Sequence, residues 1–251
     1  MLRSLHPWLV WLEIGLALLT FISLLFVTAP YGRHAREGWG PSLSPRVAWV
    51  VMECPAVFLW AIVFFTGEHS HQLGSVALLA LWMLHYGYRT FIYPWRLKPS
   101  AKRTPLVIAL TAVAFNSLNA AVNAGQVSHV RAYSSEWLTD ARFIMGALLF
   151  ALGYYINHQS DAILLSLRKP GETGYKIPHG GLYRWVSCPN YFGELLEWVG
   201  WTVATWSFAG LSFALYTAAN LIPRALDNHR WYQKTFDDYP KDRRAVIPFI
   251  L

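Results

Sequence analysis

The sequence predicts an all-α, multi-pass membrane protein with seven transmembrane helices, a non-cytoplasmic N-terminus and a cytoplasmic C-terminus. Apolar side chains make up 55% of the 251 residues and charged ones only 14%, against roughly 25% charged in ordinary soluble domains. Several apolar stretches reach the length of about 20 residues that crosses a bilayer, and the basic residues lie between them. Since no repeat and no Gly-, Ser- or Pro-rich linker divides the chain, we expect one domain over residues 1–251.

The apolar stretches follow one another along the chain. The first, Trp8–Thr28, is longer than a signal-peptide core and lacks a strongly basic start, so we expect it in the mature protein. The next four are bounded by Pro, Gly or charged residues: Val47–Thr66, Leu73–Tyr93, Pro105–Ala124 and Phe143–Leu165. The last, Tyr191–Pro223, is long for one span and short for two, and Ser207–Gly210 is its expected break.

Loop charge decides between six and seven spans, because Lys and Arg concentrate in cytoplasmic loops. With seven spans, one side carries three basic residues, Arg3, Arg131 and Arg142, and the other carries seventeen. With six spans the split becomes nine against eleven, which is no bias. Seven spans are therefore predicted. The net charge of +7 then belongs to membrane-side loops and does not indicate a nucleic-acid partner.

The second and third predicted spans contain ionisable side chains that call for a partner. Glu53 lies in the second span, and Tyr86 and Arg89 lie three residues apart on one face of the third. Such groups are costly in lipid and mark functional sites by default. Two interpretations are open: a protonated Glu53 and the Tyr86 hydroxyl bind a carbonyl oxygen, or Glu53 and Arg89 form a structural ion pair between helices.

Polar side chains also recur at helical spacing near the cytoplasmic ends of the later spans. Three sets have this spacing: Asn157 and Asp161 with Arg168 beyond them, then Asn190, Glu194 and Glu197, then Arg224, Asn228 and Tyr232. Taken alone, the first two sets would be explained by helix capping and interfacial solvation, and Arg224 in the third set by contact with a lipid headgroup. Together, beside the long loop Ser166–Pro189, they favour a site for a polar ligand, and Arg suits phosphate groups.

Other catalytic patterns are absent from the sequence. It has no Gly-x-Gly-x-x-Gly, no phosphate-binding loop ending in Gly-Lys-Ser/Thr, no His-Glu-x-x-His and no Gly-x-Ser-x-Gly. Cys54 and Cys188 are too few for a disulfide framework or a cysteine zinc site, so we interpret them as packing residues and expect no metal.

Several longer motifs resemble one known family, the steroid 5-alpha-reductases, from about Val47 onward and most strongly over residues 154–251. The resemblance is carried by Glu53 in Met-Glu-Cys-Pro, by Leu84–Phe91, by Asn157–Asp161, by Leu167–Glu172 and by Tyr175–Leu182. It continues through Asn190–Trp198, Ala204–Ser207, Asp238–Pro240 and Ile247–Ile250.

The resemblance implies an NADPH-dependent enzyme that reduces the double bond of a 3-oxo-4-ene steroid. Positions matching the family's catalytic pair are Glu53 and Tyr86, which hold the 3-keto oxygen, and Trp198 matches a wall of the substrate cavity. Positions matching its NADPH contacts are Asn157, Asp161, Arg168, Tyr175, Asn190, Glu194, Arg224 and Tyr232. Asn228 departs from the histidine of relatives, and no residue is carried over from Arg96–Arg103.

The alternatives are a reductase of another lipid enone or enoyl thioester, of polyprenol or enoyl-CoA type, and a seven-span transporter or receptor. The expected partners are NADPH from the cytoplasm, a steroid or related enone from the bilayer, and membrane lipids, with the chain functional as a monomer. The expected location is the endoplasmic reticulum membrane in a eukaryote or the inner membrane in a bacterium.

Overall fold

The computed structural model describes residues 2–28, 38–97, 103–168, 172 and 174–251. These residues form seven long helices, at the seven places where the sequence predicts spans: α1 (Leu2–Phe26), α2 (Pro45–Phe65), α3 (Leu73–Phe91), α5 (Leu106–Gly125), α6 (Ala141–Ser166), α7 (Pro189–Thr205) and α8 (Phe208–Thr235). A short α4 (Tyr93–Arg96) follows α3, and the two-residue strands β1 (Ser42–Leu43) and β2 (Thr104–Pro105) pair antiparallel, Ser42 opposite Pro105. Residues 98–102, 169–171 and 173, within the predicted cytoplasmic loops, lie outside the described residues.

Three of these helices are long and apolar enough to cross a membrane by length and composition: Leu2–Phe26, Pro45–Phe65, and α5 with its π-helical continuation, together Leu106–Val130. The polar side chains named in the sequence analysis lie mainly on the other four long helices, and they lower the mean hydropathy of those helices. On α1, large apolar side chains such as Trp8, Trp11 and Phe26 are more than half exposed. The chain is a mostly helical membrane protein with apolar helices of spanning length.

Polar side chains cap the N-termini of α2 and α6, two of the helices that carry candidate site residues. Ser44 accepts a hydrogen bond from the backbone of Val47 at the start of α2, and Asp140 accepts one from Arg142 at the start of α6. The hydrogen bonds from Arg142 also lower the pKa of the Asp140 carboxyl to about 2, so Asp140 is an ionised cap at neutral pH. A carboxylate there also interacts favourably with the positive end of the helix dipole.

The last apolar stretch is broken at Trp206 and Ser207. Trp206 has a left-handed backbone (φ 45°), and Arg131 Nη1 donates to the carbonyls of Thr205 and Trp206 at 3.3 and 3.1 Å, which satisfies the end of α7. Ser207 then caps α8 by accepting from Gly210 at 3.0 Å. The expected break at Ser207–Gly210 is therefore displaced by one residue. Pro223 lies inside α8 and does not end it.

Helices α6 and α7 pack with their backbones in close contact. Gly146 and Gly153 on α6 face Gly193 and Gly200 on α7, and a Cβ on any of the four would overlap backbone atoms of the other helix. Small residues permit this approach between membrane helices. The close packing holds the polar residues of α6 and α7 against each other.

Candidate active site

Glu53 and Tyr86 lie at the same level of two antiparallel helices. Trp82 Nε1 on α3 donates to the carbonyl of Ala56 on α2 at 2.8 Å. Glu53 is three residues before Ala56 and Tyr86 is four after Trp82, about one helical turn from this bond in the same direction. Tyr86 is 5% exposed, whereas Glu53 is only partly buried. The arrangement places the two residues at the same depth on neighbouring helices.

An aromatic cluster fixes the ring of Tyr86. Its centroid lies 4.8 Å from that of Trp82 and 5.7 Å from that of Trp198, and Trp198 in turn packs against Phe213 at 4.4 Å. Trp198 is 1% exposed. The residue predicted as a cavity wall is thus the direct neighbour of Tyr86.

Arg89 pairs with Asp161 and not with Glu53. Its Nη1 lies 3.5 Å from Asp161 Oδ2, and its guanidinium carbon lies 4.5 Å from the ring of Trp49 and 4.6 Å from that of Tyr93. Among the described residues, the ion pairs do not include Glu53 with Arg89. Glu53 therefore does not form the predicted direct ion pair with Arg89, which turns toward α6, although the two charges attract each other.

Four of the predicted cofactor residues form one hydrogen-bonded cluster between α6 and α7. Asn157 Nδ2 donates to the carbonyl of Asn190 at 3.0 Å and to Glu194 Oε2 at 3.5 Å, and Asn190 Nδ2 donates to Asp161 Oδ1 at 3.1 Å. Asn157 and Asp161 are 2% and 4% exposed, whereas Asn190 and Glu194 are partly exposed. The cluster presents amides and carboxylates, which suit a polar ligand with both donors and acceptors.

Arg224 on α8 lies next to this cluster. Its Nη2 donates to the hydroxyl of Tyr191 at 3.1 Å, and its Nη1 donates to Asn220 Oδ1 at 3.3 Å. Tyr191 directly follows Asn190 of the cluster in the sequence. Asn228, one turn further along α8, directs its amide at Cys188 Sγ, 3.7 Å away. The arginine and Asn228 thus have different surroundings although they share a helix face.

The other three predicted cofactor residues line a separate cleft of about 160 Å³: Arg168, Tyr175 and Tyr232. The guanidinium carbon of Arg168 lies 6.0 Å from the Tyr175 ring, and Lys176 adds a second positive charge to the wall. Arg168 follows Asp161 by seven residues, roughly 10 Å along a helix. An extended ligand of that length could therefore contact both groups of residues.

The donor set fits a dinucleotide phosphate cofactor. Guanidinium groups of Arg168 and Arg224 suit phosphate oxygens, the tyrosine rings of the cleft suit a base, and the buried Asn157 amide with its neighbouring carboxylates suits a carboxamide or ribose. These contacts would be made by residues from three helices, α6, α7 and α8, and by the segment between α6 and α7.

One buried pair was missed by the sequence reasoning. His85 Nδ1 on α3 lies 2.8 Å from Glu197 Oε1 on α7, with the two residues 3% and 0% exposed. Glu197 Oε2 is buried without a hydrogen-bond partner. The helical spacing in the sequence singles out Glu197 but not its partner. The position of His85, one turn before Arg89 on the same face of α3, is the sequence feature that could have pointed to it.

Comparison with known proteins identifies the family. Residues 102–251 match the model of the 3-oxo-5-alpha-steroid 4-dehydrogenases. A steroid 5-alpha-reductase of Gossypium hirsutum is 49% identical over 240 residues, covering 94% of this chain and 93% of the relative. The 3-oxo-5-alpha-steroid 4-dehydrogenase 1 of Bos taurus is 39% identical over 253 residues, covering 99% and 98%, and that of Homo sapiens is 42% identical over 223 residues, covering 88% and 85%. The chain therefore belongs to the steroid 5-alpha-reductase family of oxidoreductases.

Proposed function

We propose that the chain reduces the 4,5 double bond of 3-oxo-4-ene steroids to 5-alpha-steroids with NADPH, and that Glu53 and Tyr86 bind the 3-keto oxygen. The observation that carries the proposal is that Glu53 on α2 and Tyr86 on α3 lie at the same depth, each about one turn from the hydrogen bond between Trp82 and Ala56, and that the Tyr86 ring contacts Trp198. The names of the relatives supply the substrate class.

NADPH supplies a hydride when bound, and reduction at the β carbon of an enone moves negative charge onto its carbonyl oxygen. Hydrogen-bond donors aimed at that oxygen stabilise the transition state more than the ground state. Tyr86 donates from its hydroxyl, and Glu53 donates when protonated. The aromatic cluster around Tyr86 fixes its ring and keeps water from the oxygen, which strengthens both hydrogen bonds.

The remaining site residues bind the cofactor in this proposal. Arg168 and Arg224 bind phosphate groups, and Tyr175 and Tyr232 flank the ligand in the cleft they line. Asn157, Asp161, Asn190 and Glu194 orient the end that faces Glu53 and Tyr86. Support comes from Arg89, which lies three residues after Tyr86 on α3 and contacts Asp161 in this cluster.

The proposal includes a topology. The seven long helices cross the membrane, with the N-terminus on the non-cytoplasmic side and the C-terminus in the cytoplasm, as the three-against-seventeen distribution of basic residues predicts. Substrate then enters from the bilayer and NADPH from the cytoplasm. The monomer contains all the residues of the proposed site.

The proposal is tested by incubating the purified chain with NADPH and a panel of lipid enones. The panel contains a 3-oxo-4-ene steroid, a polyprenal and a 2-enoyl thioester, and mass spectrometry detects a gain of two hydrogens. We expect the steroid to be reduced much faster than the others. Preferential reduction of the polyprenal or the thioester would assign the chain to another lipid enone, and no cofactor consumption with any of them would contradict a reductase.

A further inference from the structure

A second cavity lies under the C-terminal segment, apart from the cleft of Arg168, Tyr175 and Tyr232. Its volume is about 550 Å³, and it shares no lining residue with that cleft. Charged and titratable side chains in its wall are His179, Arg184, Asp242 and Arg243, and the turn of Gly180 and Gly181 closes one side. The two arginines and one aspartate leave a surplus of one positive charge.

Arg243 is a buried cation in this wall without a carboxylate partner. It is 3% exposed, and its Nε and Nη1 atoms have no hydrogen-bond partner. Its Nη2 lies 3.5 Å from His179 Nδ1, and its guanidinium contacts the Tyr239 side chain, with the ring 5.2 Å from the guanidinium carbon and a hydrogen bond to the Tyr239 hydroxyl. Within the described part of the chain, the ion pairs do not include Arg243. The buried Arg89, by comparison, forms an ion pair with Asp161. A buried, uncompensated charge is strongly unfavourable, so a counter-anion is expected at Arg243.

We propose that this cavity binds a phosphate-bearing ligand through Arg243, with Arg184 and His179 as further donors, at a site separate from the cofactor cleft. The planar guanidinium forms paired hydrogen bonds to phosphate oxygens. Gly180 and Gly181 have positive φ angles of 92° and 48°, a backbone conformation that glycine adopts readily, and both line the cavity. The ligand is a phosphate monoester or a phospholipid headgroup, since both present the same group.

The cavity is linked to the cofactor cleft by stacked tyrosines. Tyr239, beneath Arg243, stacks on Tyr232 with ring centroids 5.2 Å apart and planes within 9°, and Tyr232 lines the cleft. Tyr239 is also hydrogen-bonded to Ser187 at 2.6 Å, and burial raises the pKa of Tyr239, so it remains a neutral hydroxyl. Occupation of the cavity therefore stabilises one wall of the cleft, an effect on NADPH that rests on the proposed function.

Binding is measured by calorimetric titration of the purified full chain with inorganic phosphate, with chloride at equal ionic strength as the reference. We expect saturable phosphate binding that Arg243→Met weakens by about 10- to 100-fold, the loss of one charge-assisted hydrogen bond. Arg244→Met is the matched control: it removes the same charge one residue away, and the Arg244 side chain is exposed. If Arg243→Met does not fold, Arg184→Met tests the same cavity from an exposed position.

Two further arms identify the source of the phosphate and the independence of the site. Tight binding of glycerol 3-phosphate in detergent indicates a soluble monoester, and retention of phosphatidic acid over phosphatidylcholine in nanodiscs indicates a headgroup; either supports the proposal. Three results would overturn it: no saturable binding of phosphate, equal losses in Arg243→Met and Arg244→Met, or competition between phosphate and NADPH, which would make this the cofactor's own phosphate site. None of these readouts depends on turnover.

Discussion

At the residue scale, Glu53 and Tyr86 have unequal surroundings. Tyr86 is enclosed by Trp82, His85 and Trp198, so its hydroxyl has few alternative positions. Glu53 is partly exposed in the middle of α2, where a bound substrate can reach it. Under the proposed function, the phenol would be the fixed donor and the carboxyl the group that adjusts to the ligand.

Replacing either donor is expected to reduce turnover with little effect on the cofactor. Glu53→Gln and Tyr86→Phe should each lower kcat by roughly 10²- to 10³-fold, the usual effect of removing one oxyanion donor. NADPH affinity, measured by cofactor fluorescence, should change little, because neither side chain belongs to the α6–α7 cluster or to the cleft. Near-normal kcat in both variants would contradict their assigned role.

The two cofactor arginines are expected to act on NADPH and not on the steroid. Arg168→Ala and Arg224→Ala should each raise the KM for NADPH by about 10- to 100-fold, since each loses a charge-assisted hydrogen bond. Asn228→Ala, whose amide contacts Cys188, is the control and should have little effect. Arginine variants that bind NADPH normally but fail to insert into membranes would show a topological role instead.

Sequence spacing could predict which side chains share a helix face, but not their partners on other helices. It grouped Asn157 with Asp161 and Asn190 with Glu194, and these four do meet. It could not choose between Glu53 and Asp161 as the partner of Arg89, because that choice depends on how α3 packs against α2 and α6. The pairing of His85 with Glu197 depends on tertiary packing in the same way.

At the element scale, the glycine contact between α6 and α7 determines the geometry of the polar cluster. Gly153 lies one turn before Asn157, and Gly193 lies between Asn190 and Glu194. The cluster therefore forms at a place where the two backbones are in close contact. The sequence shows the glycines but not which helix they face, so this contact could not be predicted from it.

A methyl group at this contact is expected to disrupt the cluster. Gly153→Ala would place Cβ against the backbone of Glu197, so the helices must separate, and overpacking of this kind costs about 1–3 kcal/mol. NADPH affinity and thermal stability should both fall. Gly15→Ala on α1, where a Cβ meets nothing within 4 Å, is the matched control, and an equal loss in both variants would contradict the assigned role of the contact.

The number and position of the long helices were predictable because apolar runs of spanning length are a strong signal. Pro223 ends the apolar stretch but not the helix. The spacing of four residues between Arg224, Asn228 and Tyr232 predicts that the helix continues beyond the proline, and α8 does continue to Thr235. The continuation places Asn228 and Tyr232 beside the segment that follows α6.

At the scale of the whole molecule, the distribution of charge predicts opposite locations for the two termini. With three basic residues on one side and seventeen on the other, the positive-inside rule predicts a non-cytoplasmic N-terminus and a cytoplasmic C-terminus. Reporter fusions at the two ends should therefore report different sides of the membrane. Reporters on the same side would mean an even number of spans, with α7 and α8 crossing only once between them.

The central claim is that Glu53 and Tyr86 hold the carbonyl oxygen of an enone while a hydride is delivered to its β carbon. It is tested most directly by incubating the purified chain with a 3-oxo-4-ene steroid and NADPH carrying deuterium at the transferable position, and locating the label by mass spectrometry and NMR. We predict one deuterium at C5, on the α face, one solvent hydrogen at C4, and loss of the product in Glu53→Gln. Absence of the reduced steroid, deuterium at C3 from carbonyl reduction, or undiminished product in Glu53→Gln would contradict the claim.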